Sequence, residues 1–274
     1  MAGYARRGVH GQTVETLAHR VLGGEIAEGA TLDLAALQAE LGVSLTALRE
    51  SLKVLAAKGM VDARQKRGTF VRPRADWHLL DADVLRWRFE TAGRQQGEGA
   101  AARAASPLLR DLDEVRGIVE PAAVRLAAVR RTDADLAALE AALTAMAGAR
   151  DGAAEAVAAD LAFHRALLAA SHNELLERMD QVLASGLAAR DRLVHGPGHH
   201  PSDPVPGHRA VLAAIRAQDP DAAEAAMHRL LAQAARDLAE LSAGEPGGEP
   251  AGGSTGGSAA EPAGGSAAER AGGA

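Results

Sequence analysis

Residues 40–74 read ELGVSLTALRESLKVLAAKGMVDARQKRGTFVRPR. Within this stretch Ser44 is placed to cap a helix, LTALRESLKVLAAKG, whose apolar stripe is Leu45, Leu48, Leu52 and Leu55, with Gly59 at its C′ position. Upstream, Asp33 caps a short helix bearing Leu34, Leu37 and Leu41, and Gly42 closes it. Two helices joined only by Gly42-Val43-Ser44 have the connection of a helix-turn-helix. Downstream, MVDAR and GTFVR flank Gln65-Lys66-Arg67-Gly68, which predicts a β-hairpin with a basic tip, a wing. A first helix is expected over 9–28, with Val14, Leu17, Ala18, Val21 and Leu22 inward and the Gly29 turn at its end.

A helix in this position enters a major groove N-terminus first, so exposed polar groups in its first turns meet bases and phosphates. Thr46, Arg49, Glu50 and Lys53 fill that face. Arg49 has the planar fork that reads guanine O6 and N7 together. Ser44 and Thr46 suit phosphate oxygens, and Lys66, Arg67 and Gly68 at the wing tip suit phosphate or the minor groove. The plainer alternative is a three-helix domain whose third helix is merely solvated.

Charge supports the first reading. The chain of 274 residues has a net charge of −6, but residues 1–75 carry 11 Lys+Arg against 7 Asp+Glu, and all three lysines lie there. The remainder carries 19 against 29. A basic head on an acidic body points to an anionic partner such as double-stranded DNA. With 47% hydrophobic residues but only two Trp, one Tyr and three Phe, the core must be built from Ala, Leu and Val, which favours helix and excludes a mostly β fold. The absence of cysteine excludes disulfides and thiolate sites. The N-terminus MAGYARRGVHGQ lacks an apolar signal region and no long uncharged stretch follows, so a cytoplasmic protein without a membrane segment is expected.

Phe70, Trp77, Trp87 and Phe89 cluster where head meets body, and are expected to glue the two. From Ser106 the chain is a series of capped amphipathic helices. They are expected from Ser106-Pro107 to about Val129 with a kink at Pro121, Asp133 to Met146, Asp151 to Ala170, Asn173 to Leu193, 207–217 and 221–242. The fold class is therefore mainly α: an N-terminal winged helix-turn-helix (1–75), a linker helix (76–105), an all-helical antiparallel bundle (106–242) and a disordered Gly/Pro/Ala/Ser tail (243–274).

Four residues stand out in the bundle. Asp160 and His164 share a helix face at i,i+4, while His208 and His228 lie on the last two helices. Three imidazoles and a carboxylate make a sufficient shell for Zn, Ni or Mn with one position open. Each histidine alone could equally be a surface or satisfied core residue; His172, His195, His199 and His200 are read as loop histidines.

The stretch 40–74 resembles the winged helix of the GntR family of bacterial regulators: a short helix, a Val-Ser turn, an Arg-Glu pair and a glycine-bearing wing. It departs from many members at Leu45, where they have Arg, and at Ala30-Thr31-Leu32, where they have proline. VRGIVEPAAVRLAA, DLAFHRALLAASHN and GHRAVLAAIRAQDPDAAEAAMHRLL resemble the effector-binding domain of the FCD branch of that family. That resemblance implies a divalent metal on Asp160, His164, His208 and His228, a carboxylate effector at the open position, and Arg116 as its anchor. A salt bridge from Arg116 to Glu120 at the surface is the alternative. Residues 76–87, DWHLLDADVLRW, resemble the linker of sugar-acid (galactonate-type) operon repressors in that family.

Together these imply a homodimeric, ligand-responsive repressor of a sugar-acid catabolic operon. Two alternatives stand beside it: a metal-dependent enzyme with a DNA-binding appendage, for which no base beside Asp160 and His164 is evident although Glu155 and Glu224 are near in sequence, and an architectural DNA-binding protein whose bundle only dimerises.

Overall fold

The N-terminal helix, α1 (Val9–Leu22), stops where Gly23 and Gly24 follow, Gly24 taking a left-handed φ of 79°. It is thus shorter than the expected 9–28, because paired glycines end a helix that apolar periodicity alone would extend. Its stripe of Val14, Leu17, Ala18 and Val21 is buried. Throughout, the description rests on a computed structural model covering residues 8–95, 104, 106–149, 153–196 and 201–243.

In α2 (Leu34–Leu41), the Asp33 carboxylate accepts the N–H groups of Ala35 and Ala36 at 3.0 Å each, and Gly42 closes the helix in a left-handed conformation. In α3 (Leu45–Ala57), the Ser44 hydroxyl accepts Ala47 N–H at 3.2 Å. Both are side-chain caps of groups a helix start leaves unpaired. Leu48, Leu52 and Leu55 are buried as expected, whereas Leu45 is 36% exposed. Leu45 sits on the projecting first turn, and Val43 before the cap packs on the head core in its stead.

The wing is an antiparallel pair, β1 (Val61–Arg64) and β2 (Gly68–Val71), in register Val61↔Val71 to Arg64↔Gly68. Thr31 bridges to Phe70, so the segment before α2 lies along the wing. Gly59 (φ 74°) is required: a Cβ there would lie 2.4 Å from the carbonyl oxygen of Asp76, in the 3-10 turn Arg74–Asp76.

The linker helix, α4 (Ala82–Gln95), serves two cores. Trp87 is fully buried in the head core with Trp77, Leu17 and Leu55, while Phe89 belongs to the body core with Leu109 and Leu112. Phe70 stays in the wing under Arg67, so the expected aromatic glue is divided between places rather than stacked at one junction. Ion pairs complete the attachment: Lys58 bridges Asp81 and Asp83 at 2.7 and 2.9 Å, and Arg86 bridges Glu15 and Glu90 at 2.7 and 3.0 Å.

The body follows as α5 (Pro107–Arg130), α6 (Asp133–Gly148), α7 (Ala153–Ala170), α8 (Glu174–Arg178), α9 (Asp180–Val194), α10 (Val205–Arg216) and α11 (Pro220–Ala243). α5 runs unbroken through Pro121. α6 is opened by a reciprocal Thr132–Asp135 capping box, one residue before the expected Asp133. The helix expected from Asn173 to Leu193 is two: the N–H of Met179 is shared between the carbonyls of Leu175 and Leu176, a tightened last turn before α9 restarts.

Phe163, Leu167, Leu183 and Ile215 fill the body core between close-packed alanines such as Ala123 and Ala127. Each buried leucine contributes roughly 1.5–3 kcal/mol. α9 approaches α4 and α5 closely at Gly186, where a Cβ would come within 2.7 Å of Phe89 and Leu112. Asp151, His199, His200 and the tail from 244 onward lie outside the described residues.

Candidate functional site

Two surfaces carry the chemistry. On the head, Thr46, Arg49, Glu50 and Lys53 are all exposed on α3. Lys53 is paired with Glu50 at 2.7 Å, whereas Arg49 has no hydrogen bond or ion pair among the described residues. Ser44 spends its hydroxyl on the cap. At the wing tip Lys66 is exposed at a left-handed φ of 67°, beside Gly68 at 80°. Arg67 is held back: its guanidinium lies 3.6 Å from the Phe70 ring centroid and donates to the Gly29 carbonyl at 3.0 Å. An α3 face plus a basic wing tip is the arrangement that reads a groove and its flanking phosphates.

The second surface is a cavity of about 750 Å³ within the helical body, lined by residues of α5, α6, α7, α9, α10 and α11. That size lies within the range of small-molecule sites. Asp160 and His164 of α7 and His208 of α10 converge there, each offering a ligand atom within 4.8 Å of the others. His208 Nε2 lies 3.2 Å from Asp160 Oδ1, and His164 Nε2 lies 3.7 Å from Asp160 Oδ2. Phe163 packs edge-on to His208, with ring centroids 4.8 Å apart.

The partners of the two imidazoles fix their orientation. His208 Nδ1 lies 2.8 Å from the Pro204 carbonyl, which only accepts, so Nδ1 carries a proton and the ring is held with Nε2 turned to Asp160. His164 Nδ1 lies 3.0 Å from Glu120 Oε2, an ion-pair contact short of good hydrogen-bond alignment. On the other side Arg116 Nη2, which only donates, stands 3.2 Å from His164 Nε2. Both Nε2 atoms therefore stand within 3.7 Å of an Asp160 oxygen, His164 Nε2 being shared with Arg116. Carbonyl or carboxylate support behind a ligating histidine is the usual outer layer of a metal site. His208 Nε2 and Asp160 Oδ2 are buried without a hydrogen-bond partner, which is the deficit a cation would fill. Two imidazoles and a carboxylate fit Zn, Ni or Mn.

Charge in the cavity is tightly coupled. Arg116 and Glu120, at i,i+4 on α5, pair at 2.7 Å with side chains only 3% and 1% exposed, so the pair expected at the surface is instead buried. Burial alone would raise the Glu120 carboxyl, but Arg116 and His164 hold it down to about 2. Burial likewise opposes ionisation of Asp160, and His164, His208 and Arg116 outweigh it, keeping the carboxyl well below its ordinary range. Asp191 on α9 goes the other way: burial, then the charge of Asp160, pushes it well above the carboxylate range despite Arg190 at 2.6 Å.

The fourth expected ligand is not there. His228 is 57% exposed and faces Glu224 at 4.0 Å. On α11 the cavity stripe is Leu230, Gln233, Ala234 and Asp237, at i, i+3, i+4 and i+7, and His228 falls off it. The spacing of these four was a signal available in the sequence, hidden because only one is charged. Of the loop histidines, His195 lines the cavity and His172 bonds Asp135 at 2.8 Å on the surface. Glu155 is exposed, and Glu224 is engaged by Arg125 at 2.6 Å.

Comparison with known proteins gives two family matches: "Bacterial regulatory proteins, gntR family" over residues 10–71 and "FCD domain" over residues 111–233. The galactonate operon transcriptional repressor of Escherichia coli (strain K12) is 33% identical over 231 residues, covering 84% of this chain and 96% of the relative. The HTH-type transcriptional regulator LutR of Bacillus subtilis (strain 168) is 34% identical over 157 residues, 57% of this chain and 65% of that protein. The solved structure of Lar, described as controlling expression of the Listeria monocytogenes agr system, is similar with a TM-score of 0.54 at 16% identity, covering 87% of this chain and all of that one; at that identity the likeness is one of fold.

Proposed function

Because the chain belongs to the GntR family of bacterial regulatory proteins and carries an FCD domain, we propose that it is a cytoplasmic, homodimeric repressor released from its operator when a carboxylate effector enters the helical cavity. It is a DNA-binding transcriptional regulator rather than an enzyme. The observation that carries the effector reading is the buried convergence of Asp160, His164 and His208 beside Arg116 in one cavity.

In this reading Asp160, His164 and His208 would hold a divalent ion, which when bound supplies a Lewis-acid position for a carboxylate oxygen. Arg116 donates to the other carboxylate oxygen, a charge-assisted bond stronger than a neutral one. Glu120 keeps Arg116 ionised and His164 oriented. The sugar-acid class rests on likeness to the galactonate repressor, supported by the polar lining.

The head acts through Thr46, Arg49 and Lys53 in the major groove, with Ser44 at the helix start and Lys66, Arg67 and Gly68 of the wing on the flanking backbone. A dimer places two such heads on symmetry-related half-sites. Binding acts on the heads through α4, whose Trp87 and Phe89 enter both cores. A ligand shifts operator affinity only by binding the two states differently. Operator affinity measured with divalent metal present, with and without a panel of sugar acids, tests the reading. A fall with one of them is expected; unchanged affinity across the panel overturns it.

A further inference from the structure

The cavity has a second polar pole, on α11. Asp237 lines it with only 6% of its surface exposed. Its Oδ1 accepts from the Ser202 hydroxyl at 3.0 Å and from Gln233 Nε2 at 2.9 Å, and Gln233 Nε2 also donates to Ser202 Oγ at 2.7 Å. Both hydrogen bonds fall on one oxygen. Among the described residues no cation pairs with this carboxylate, and Oδ2 has no hydrogen bond. That leaves Oδ2, which is not sealed from solvent, open to a donor from whatever fills the cavity.

The kind of donor follows from the acceptors on offer. A desolvated ammonium brings three N–H groups and needs acceptors for each, whereas this pole presents one open carboxylate oxygen. A hydroxyl brings one proton and is satisfied by it. Position then sets the ligand's length. Leu230 abuts the backbone beside His208, since a Cβ on Gly207 would lie 2.9 Å from Leu230 Cδ1. Asp237 is seven residues further along the same stripe, about 10 Å of helix axis at 1.5 Å per residue.

We infer that Asp237, set by Ser202 and Gln233, is a specificity residue that takes a hydroxyl of the effector at the end remote from its carboxylate, so that the cavity selects an extended polyhydroxy acid over a two- or three-carbon hydroxy acid. This rests on the cavity reading above, with the carboxylate held at the Arg116 end.

The test is calorimetric titration of the full-length, zinc-supplemented protein with D-galactonate and with lactate, for wild type, Asp237→Asn and Ser202→Ala. Thermal unfolding checks that each variant is folded, Ser202→Ala serving if Asp237→Asn is not. Wild type is expected to favour galactonate, and Asp237→Asn to weaken it about tenfold or more while leaving lactate unchanged. Ser202→Ala should do the same to a lesser degree. Galactonate binding untouched by both variants, or equal losses for both acids, overturns the inference while leaving a carboxylate site in place. Tighter binding of an α-amino acid than of galactonate also overturns it. Failure of wild type to bind any of these carboxylates overturns the cavity reading itself.

Discussion

Arg116 Nη2 stands 3.2 Å from His164 Nε2, so an arginine fixed by Glu120 also touches the imidazole that the metal reading needs. Removing one member of such a buried pair leaves the other charge uncompensated. Arg116→Met alone should lower stability by about 3–5 kcal/mol and abolish effector-dependent release of operator. Adding Glu120→Leu should recover most of that stability without recovering release. Denaturant unfolding and operator titration separate the two; recovery of both would mean that Arg116 has only a structural role.

Metal content distinguishes the inner histidines from the outer one. Asp160→Asn and His208→Ala should each lose stoichiometric zinc after exposure to a mild chelator. His228→Ala, on the exposed face of α11, should retain as much as wild type. Elemental analysis of the dialysed proteins gives the answer directly.

Acid should loosen the attachment of head to linker. Burial alone would raise the Glu90 carboxyl, but the His19 and Arg86 contacts outweigh it and hold it down to about 2. With an unfolded value near ~4.3, the folded pKa is depressed, so its stabilisation is present above that value and lost as pH falls toward about 2. Glu90→Gln should therefore cost about 1–2 kcal/mol at neutral pH, allowing for a side chain 29% exposed. That deficit should close between pH ~4.5 and about 2. Thermal unfolding of both proteins across that range shows whether the gap closes.

The head residues should separate into specifying and anchoring groups. Arg49→Ala is expected to cost about 1–3 kcal/mol on the operator and to relax base preference at one position. Lys66→Ala should weaken binding evenly on all sequences and reduce the salt slope by about 1. Titrations against operator and random duplex at several salt concentrations would expose either assignment as wrong.

The local chemistry of this chain was legible in its sequence. The Asp33 and Ser44 caps, the Gly42 turn, the wing and the Leu48-Leu52-Leu55 stripe all rest on neighbours within a few residues, and each forms from those neighbours. The Asp160–His164 pair was legible for the same reason, since i,i+4 spacing fixes a shared face. The paired glycines after Leu22 belong with them, since they end α1 by a local rule, ahead of the expected Gly29 turn.

Tertiary structure decided what periodicity leaves open: which face of a helix meets which neighbour. His228 and Leu230 differ by about 200° around α11, and only packing against α5 and α10 turns Leu230 to the cavity and His228 to solvent. Trp87 and Phe89, two residues apart, enter different cores because α4 is packed on both sides, by α1 and by α9. Asp191 and Asp237 were ordinary charges in sequence, and the Arg116–Glu120 pair, legible at i,i+4, was expected at the surface rather than buried. What these groups do comes from burial and from neighbours on other helices, such as His164 beside Arg116 and Glu120, which no spacing along one helix encodes.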